Sequence, residues 1–512
     1  MKHRFSALFL GGLIVLSASL SCGAAIKGDV DLDGQITGTD AAAALQYALI
    51  GEKTGYTAEQ VLAADFDEDG IITATDANFI LQKALTPEFD IEKKPVNPDT
   101  SDGVVVSDFG ALNNALANGE KKIYISGTIS CSAPLALNTA SAGVEFYGLT
   151  NEDGTGAALD FAVQRDKCTK SGESCTGIFI KGSGYSFRNL IIENAGDCGV
   201  RIKGETAGDC LFENCVFRYN NNSGVSVTAG AHDNRFISCD SYRNGDIVQK
   251  NGSDADGFSV KLLAGKGNYF YNCRAWENSD DGWDSYQHSE DVTYIECLTW
   301  HNGDNEVFTG EYDYKAGYPL DKKLIYVQAV LANDPDFEAK YNAKQITEWP
   351  DVTVRLLGTE NNYTNMYEWW NGNPNGFKFG PGDDNSYRYI ENCISFDHFS
   401  NSTTYKAKGF DQNSGRSHYD MKNILAFNNV VNVQMKNMTA DSIEGVVWGF
   451  DKCISSLGSL LADEPSSGMT VKEPENKDDI RKKVYAYRDN IYNYVYNDKI
   501  PGKQICDVFP KQ

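Results

Sequence analysis

Positive charge is in short supply: 46 Lys and Arg stand against 71 Asp and Glu, a formal net charge of -25. A chain this acidic repels phosphate backbones and anionic bilayers, which excludes nucleic acid and membrane as partners. Divalent cations and sugar surfaces suit it better. Histidine is rare, six in 512 residues, and no Gly-x-Ser-x-Gly elbow occurs, so serine or cysteine nucleophile chemistry finds no support. Beyond residue 20 no apolar run reaches the ~20 residues that cross a bilayer. What is present is a 41% hydrophobic content, enough over this length to bury a large core in more than one domain.

Lys2, His3 and Arg4 precede an apolar run over 5–20 and the small residues Gly23, Ala24 and Ala25. That order predicts a secretory signal peptide over 1–24 and a soluble, secreted mature chain. Thirteen cysteines in an exported protein would ordinarily mean disulfides. Several fall at one repeating position instead, described below. Cys168 with Cys175, and Cys198 with Cys210, remain as possible bridges.

Asp29, Asp31, Asp33, Thr37 and Asp40 stand at positions 1, 3, 5, 9 and 12 of a loop with Gly34 at position 6; Asp65, Asp67, Asp69, Thr73 and Asp76, with Gly70, repeat it. Oxygen ligands one residue apart converge on one calcium ion, glycine permits the sharp turn, and position 7 (Gln35, Ile71) contributes a backbone carbonyl. Each loop runs into an apolar-periodic stretch, 41–49 and 77–85, so the unit is a small all-α tandem of loop and helix. This duplication over 25–86 resembles a dockerin. The resemblance implies a cohesin on a scaffoldin as partner, chosen through Gly38, Thr39, Ala74 and Thr75. Residues 87–103, with three prolines, then read as a linker.

Further on, Gly-apolar-x followed by a mostly apolar fourth position recurs at 199–202, 224–227, 257–260, 282–285, 376–379, 409–412 and 445–448. The alternation predicts short strands with one buried face. About sixteen residues after each Gly stand Cys215, Cys239, Cys273, Cys297, Cys393 and Ile424, each followed at +5 by Asn220, Asn244, Asn278, Asn302, His398 and Asn429. Coils of about 25 residues with stacked equivalents predict an all-β parallel β-helix over 104–512. The cysteines then pack as reduced interior residues and the asparagines bond turn backbone. Residues 303–373 read as an insertion whose Tyr363, Tyr367, Trp369 and Trp370 either stack on sugars or pack the insertion itself. The tyrosine-rich stretch 484–496 has no assignment.

Asp256 and Asp281 both precede the repeat glycine in successive coils, which places them one strand spacing apart, ~4.8 Å. Asp280 and Asp284 adjoin them, and four converging carboxylates suit calcium rather than zinc. The outward column two residues after each glycine reads Arg201, Ser226, Ser259, Asp284, Lys378, Asp411 and Val447. It sets Lys378 beside the acidic cluster, as a stacked ion pair or as a base. Arg416, Lys261 and Lys406 read first as surface charges and second as partners of substrate carboxylates.

The segments 254–258, 278–284, 375–378 and 408–413 together resemble polysaccharide lyase family nine, over about 104–436. The resemblance implies a right-handed parallel β-helix and β-elimination of polygalacturonate. It also implies calcium (Ca2+) on Asp256, Asp280, Asp281 and Asp284, and Lys378 as the base. Rhamnogalacturonan lyase and a polygalacturonase-type hydrolase working through paired carboxylates stand as alternatives.

Overall fold

The computed structural model describes residues 26–66, 72–86, 97–165, 167–168, 172–246, 252–304, 307, 353–355, 363–365, 372–380, 386–398, 406–413, 417–435, 447–451 and 471–509. The predicted signal peptide, most of the insertion, and Asp67, Asp69, Ile71 and Arg416 lie outside them. The chain divides into two units, Met1–Pro95 and Val96–Gln512.

In the first unit, α1 (Gly38–Ile50) and α3 (Ala74–Leu85) follow the two loops, with α2 (Ala58–Ala64) between them. Each helix opens on a capping box, Thr37 with Asp40, Thr57 with Gln60, and Thr73 with Asp76, which satisfies amide groups the helix itself leaves free. Helix α2 leads into the second loop, an entering helix that a bare tandem of loop and helix lacks. Val30, Ala44, Ala64, Phe66, Ala77 and Ile80 form the core.

The second unit winds three parallel sheets of ten, nine and eleven strands, each joining strands from successive coils. Its bore is filled by stacked side chains. Phe146, Phe187, Phe212, Phe236 and Phe270 form one pile with centroids 4.7–5.0 Å apart. Cys215, Cys239, Cys273, Cys297 and Cys393 form another, fully buried and unpaired. Their thiols point at backbone carbonyls, as Cys239 does toward Phe212 O at 3.4 Å. Cys168 bonds to Cys175, and Cys198 and Cys210 are free.

The asparagine ladder runs where the spacing placed it. Asn220 Nδ2 donates to Asn244 Oδ1 (2.9 Å), Asn244 Nδ2 to Asn278 Oδ1 (2.9 Å) and Asn278 Nδ2 to Asn302 Oδ1 (3.0 Å). His398 continues it by accepting the Asn302 amide at Nδ1 (3.2 Å).

Two helices pack on the cylinder. Helix α4 (Phe109–Ala117) buries Leu112 and Ala115 at the first coils. The tyrosine-rich stretch lies in a 19-residue helix, α5 (Lys477–Val495), packed on the eleven-stranded sheet. There Tyr492 accepts from Trp300 Nε1 at 2.7 Å and donates to Glu277 at 2.9 Å. Residues 97–103 are also tied down: Asn97 exchanges two hydrogen bonds with Thr150 (2.7 and 2.8 Å), and Tyr124 donates to Asp99 O.

The nine-stranded sheet carries the outward column. From Val200–Lys203 onward its strands are Val225–Thr228, Phe258–Val260, Trp283–Asp284, Asn375–Lys378, Lys408–Asp411 and Val431–Gln434. The column therefore ends at Gln434 and not at Val447. Val447–Phe450 belongs to the eleven-stranded sheet, beside Ile424–Phe427. The glycine pattern missed the last strand because Asn432 occupies the glycine position. Its Oδ1 accepts from the Asn429 amide and ends the ladder (3.3 Å).

Candidate active site

Register in the nine-stranded sheet brings the acidic residues together. Phe258 pairs with Trp283, Ser259 with Asp284, and Asp284 with Lys378, so Asp256 and Asp281 stack just before the strands while Lys378 lies one strand over. Gly282 is obligatory between Asp281 and Asp284. A Cβ there would sit 2.3 Å from Thr299 Oγ1 and 2.6 Å from the Gly376 carbonyl.

Carboxylate oxygens of Asp256, Asp281 and Asp284 lie within 4.8 Å of one another, all three residues buried. Asp280 lines the same groove but is not part of that tight group; the Asn373 amide donates to its Oδ1 at 2.6 Å. Lys378 Nζ binds Asp281 Oδ2 at 2.8 Å and Asp284 Oδ1 at 3.3 Å. Asp411 pairs with Lys408 (2.7 Å). Lys261 is no surface charge. It is buried, with Nζ 2.7 Å from Asp256 Oδ2 and 3.1 Å from Asp284 Oδ2. Strand alternation could have found it, because it lies two residues beyond Ser259 on the same outward face. Lys406 is exposed.

Burial pushes the Asp256 carboxyl up to about 8, against the pull of Lys261, and the Asp281 carboxyl up to about 6, against that of Lys378. Burial also works on Asp284, yet Lys378 and Lys261 together hold it below the usual range. For Lys378, burial favours the neutral amine, but Asp281, Asp284, Asp280 and Asp256 outweigh it and keep the ammonium well above its ordinary value. Asp256 Oδ1 is buried with no hydrogen-bond partner. A closely spaced, oxygen-only donor set with one orphaned oxygen fits a hard divalent cation.

In the N-terminal unit, carboxylate oxygens of Asp29, Asp31 and Asp40 likewise come within 4.8 Å of one another. The Asp33 amide donates to Asp29 Oδ1 (3.0 Å) and the Gln35 amide to Asp33 Oδ1 (2.8 Å), which wraps the loop. Thr37 doubles as the cap of α1, its hydroxyl 3.0 Å from Asp40 Oδ2. In the second loop Asp76 accepts from the amides of Phe66 (2.9 Å) and Thr73 (2.8 Å), as Asp40 does from those of Val30 (2.7 Å) and Thr37 (2.8 Å). Asp65 closes α2.

The fold and site together define a parallel β-helix that carries, in a groove on one sheet, a buried carboxylate cluster with a lysine against it. Residues 94–317 match the family described as Pel9A-like, right handed beta helix region, and residues 27–85 match the Dockerin type I domain. Two successive segments of the chain are thus similar to a type I dockerin and to a Pel9A-like β-helix region.

Pectate lyase L of Dickeya chrysanthemi is 39% identical over 129 residues, 25% of this chain and 29% of the relative, so the chain spans under a third of that protein. Pectate lyase L of Paenibacillus polymyxa (strain SC2) is 27% identical over 66% of this chain and 70% of its own length. The crystal structure of pectate lyase Pel9A aligns with a TM-score of 0.46 at 21% identity, covering 72% of this chain and 76% of that one.

Proposed function

We propose that this chain is a secreted, calcium-dependent pectate lyase that cleaves polygalacturonate by β-elimination and joins a cellulosome through its dockerin. The observation that carries this reading is Lys378 against the buried Asp256, Asp281 and Asp284 cluster with its orphaned Asp256 oxygen. Those three residues, with Asp280 beside them, would hold calcium. When bound there, calcium supplies positive charge for a galacturonate carboxylate and for the negative charge that develops α to it.

Lys378 Nζ takes the proton from C5, electrons move to form the C4=C5 double bond, and the C4–O4 bond breaks to release the shortened chain. Because the aspartates favour its ammonium form, the free amine grows as pH rises, giving an alkaline optimum. Tyr286, partly exposed in the groove with Lys378 Nζ 5.7 Å from its ring centre, offers a flat face for a sugar ring beside the base.

In the dockerin, Asp29, Asp31, Asp33, Gln35, Thr37 and Asp40 would hold one calcium ion, and Asp65, Asp67, Asp69, Ile71, Thr73 and Asp76 another. The cohesin of a scaffoldin is its partner.

The test is the ultraviolet absorbance of unsaturated product from polygalacturonate with calcium, with chelator, and with Lys378→Ala. A calcium-dependent rise lost in the variant supports the reading. Reducing sugar without absorbance would make the enzyme a hydrolase. Full activity after chelation would refute the metal role.

A further inference from the structure

Two lysines grip the acidic cluster from different sides, and the two are not equivalent. Lys378 is part of a strand, paired on both edges, and takes Asp281 Oδ2 and Asp284 Oδ1. Lys261 follows the end of its strand, Phe258–Val260, and takes Asp256 Oδ2 and Asp284 Oδ2, with Asp254 3.8 Å away. A cation shared by Asp256, Asp281 and Asp284 needs oxygen lone pairs at ~2.3–2.6 Å. Lys261 already claims one oxygen from each of two of these residues, and an ammonium and a divalent ion cannot share them without strong repulsion. One must leave. Both lysines line the groove of about 410 Å³, but Lys261 stands past the end of its strand, Phe258–Val260, whereas Lys378 sits within a strand paired on both edges, so Lys261 is the freer to swing away.

We propose that Lys261 is an exchangeable counterion: its ammonium holds Asp256 and Asp284 together until a divalent cation displaces it, and then turns into the groove to take a carboxylate of the anionic polymer. The proposal rests on the calcium-dependent reading above, and it makes Lys261 a substrate-positioning residue. It accounts for a charge problem in the groove. Asp254, Asp280 and Asp284 line the groove, with Asp256 and Asp281 beside Asp284, against Lys261, Lys378 and an Arg201 already paired with Asp197, so an incoming polyanion meets excess negative charge unless an added cation frees one ammonium to bind it.

The experiment titrates the full-length chain with calcium chloride in a calorimeter, without substrate. Asp284→Asn identifies which binding step belongs to the β-helix rather than to the dockerin. Lys261→Met should tighten that step by roughly tenfold or more, because a competing positive charge is gone. At saturating calcium the same variant should raise KM for polygalacturonate several-fold while kcat changes little, and Lys261→Arg should restore both values toward wild type. Equal or weaker calcium binding in Lys261→Met overturns the proposal, as does the absence of any Asp284-dependent step in either protein. Should the methionine variant misfold, Lys261→Gln replaces it in the same titration. Failure of the lyase reading looks different: no ultraviolet product at any calcium level, with the titration still deciding whether Lys261 and calcium exchange.

Discussion

Replacing His398 with asparagine should remove an acid-sensitive step from the stability of the β-helix. His398 occupies a ladder position otherwise held by asparagine, fully buried, with Nδ1 accepting the Asn302 amide and Nε2 without a partner. Burial, reinforced by nearby His301, pushes its pKa down to about 3 from an ordinary 6.5. A histidine depressed in the folded state favours folding fully above its unfolded pKa, and that advantage is lost as pH falls from 6.5 toward 3. At pH 5 the unfolded chain gains about 2 kcal/mol from protonating this one residue, relative to pH 8.

In His398→Asn the side-chain oxygen can still accept the Asn302 amide, and the titrating group is gone. Urea denaturation of both proteins at pH 8 and pH 5 isolates the effect, because every other titrating group is common to the two. Wild type should lose about 2 kcal/mol more than the variant on acidification. Parallel losses would refute the argument, and so would a variant that is the more acid-sensitive of the two.

Asn278→Ala should cost about 1–3 kcal/mol, since it orphans the buried Asn244 amide that Asn278 Oδ1 accepts at 3.2 Å. Urea denaturation reads the loss, and faster exchange of the Asn244 amide proton locates it. Burial pushes the Cys198 and Cys210 thiols up to about 12 from 9.0. Iodoacetamide at pH 8.5 should therefore leave both unmodified in the native protein and alkylate both in urea, as mass spectrometry of the peptides would show. With raised folded pKa values these thiols favour folding below 9.0 and lose that contribution as pH climbs toward 12, so alkaline unfolding should be milder in Cys198→Ala, provided the smaller side chain is tolerated.

The repeat makes the β-helix readable in the sequence. An interior cylinder demands the same kind of residue at the same place in every coil, so glycine, cysteine and asparagine recur in register, and counting from them placed Asp256, Asp281, Asp284 and Lys378 on adjacent strands. Where the residue type changed, the count failed: Asn432 in a glycine position hid the strand Val431–Gln434 and lent its place to 445–448. Helix α5 carries no repeat, and what makes it a helix is burial of Val484, Ile491, Tyr492 and Val495 against tryptophans almost two hundred residues earlier.

The sequence alone determined the period, the outward column and the spacing of the carboxylates, because those follow from local alternation repeated at a fixed interval. Tertiary structure alone decided that a second ammonium, that of Lys261, enters the acidic cluster beside Lys378. Lys261 and Asp284 meet across a strand boundary from different coils, and the burial of their charges depends on walls supplied by the neighbouring coils. Alternation puts Lys261 on the outward face, but which groups a long, flexible side chain at a strand end reaches is fixed only once those walls are in place.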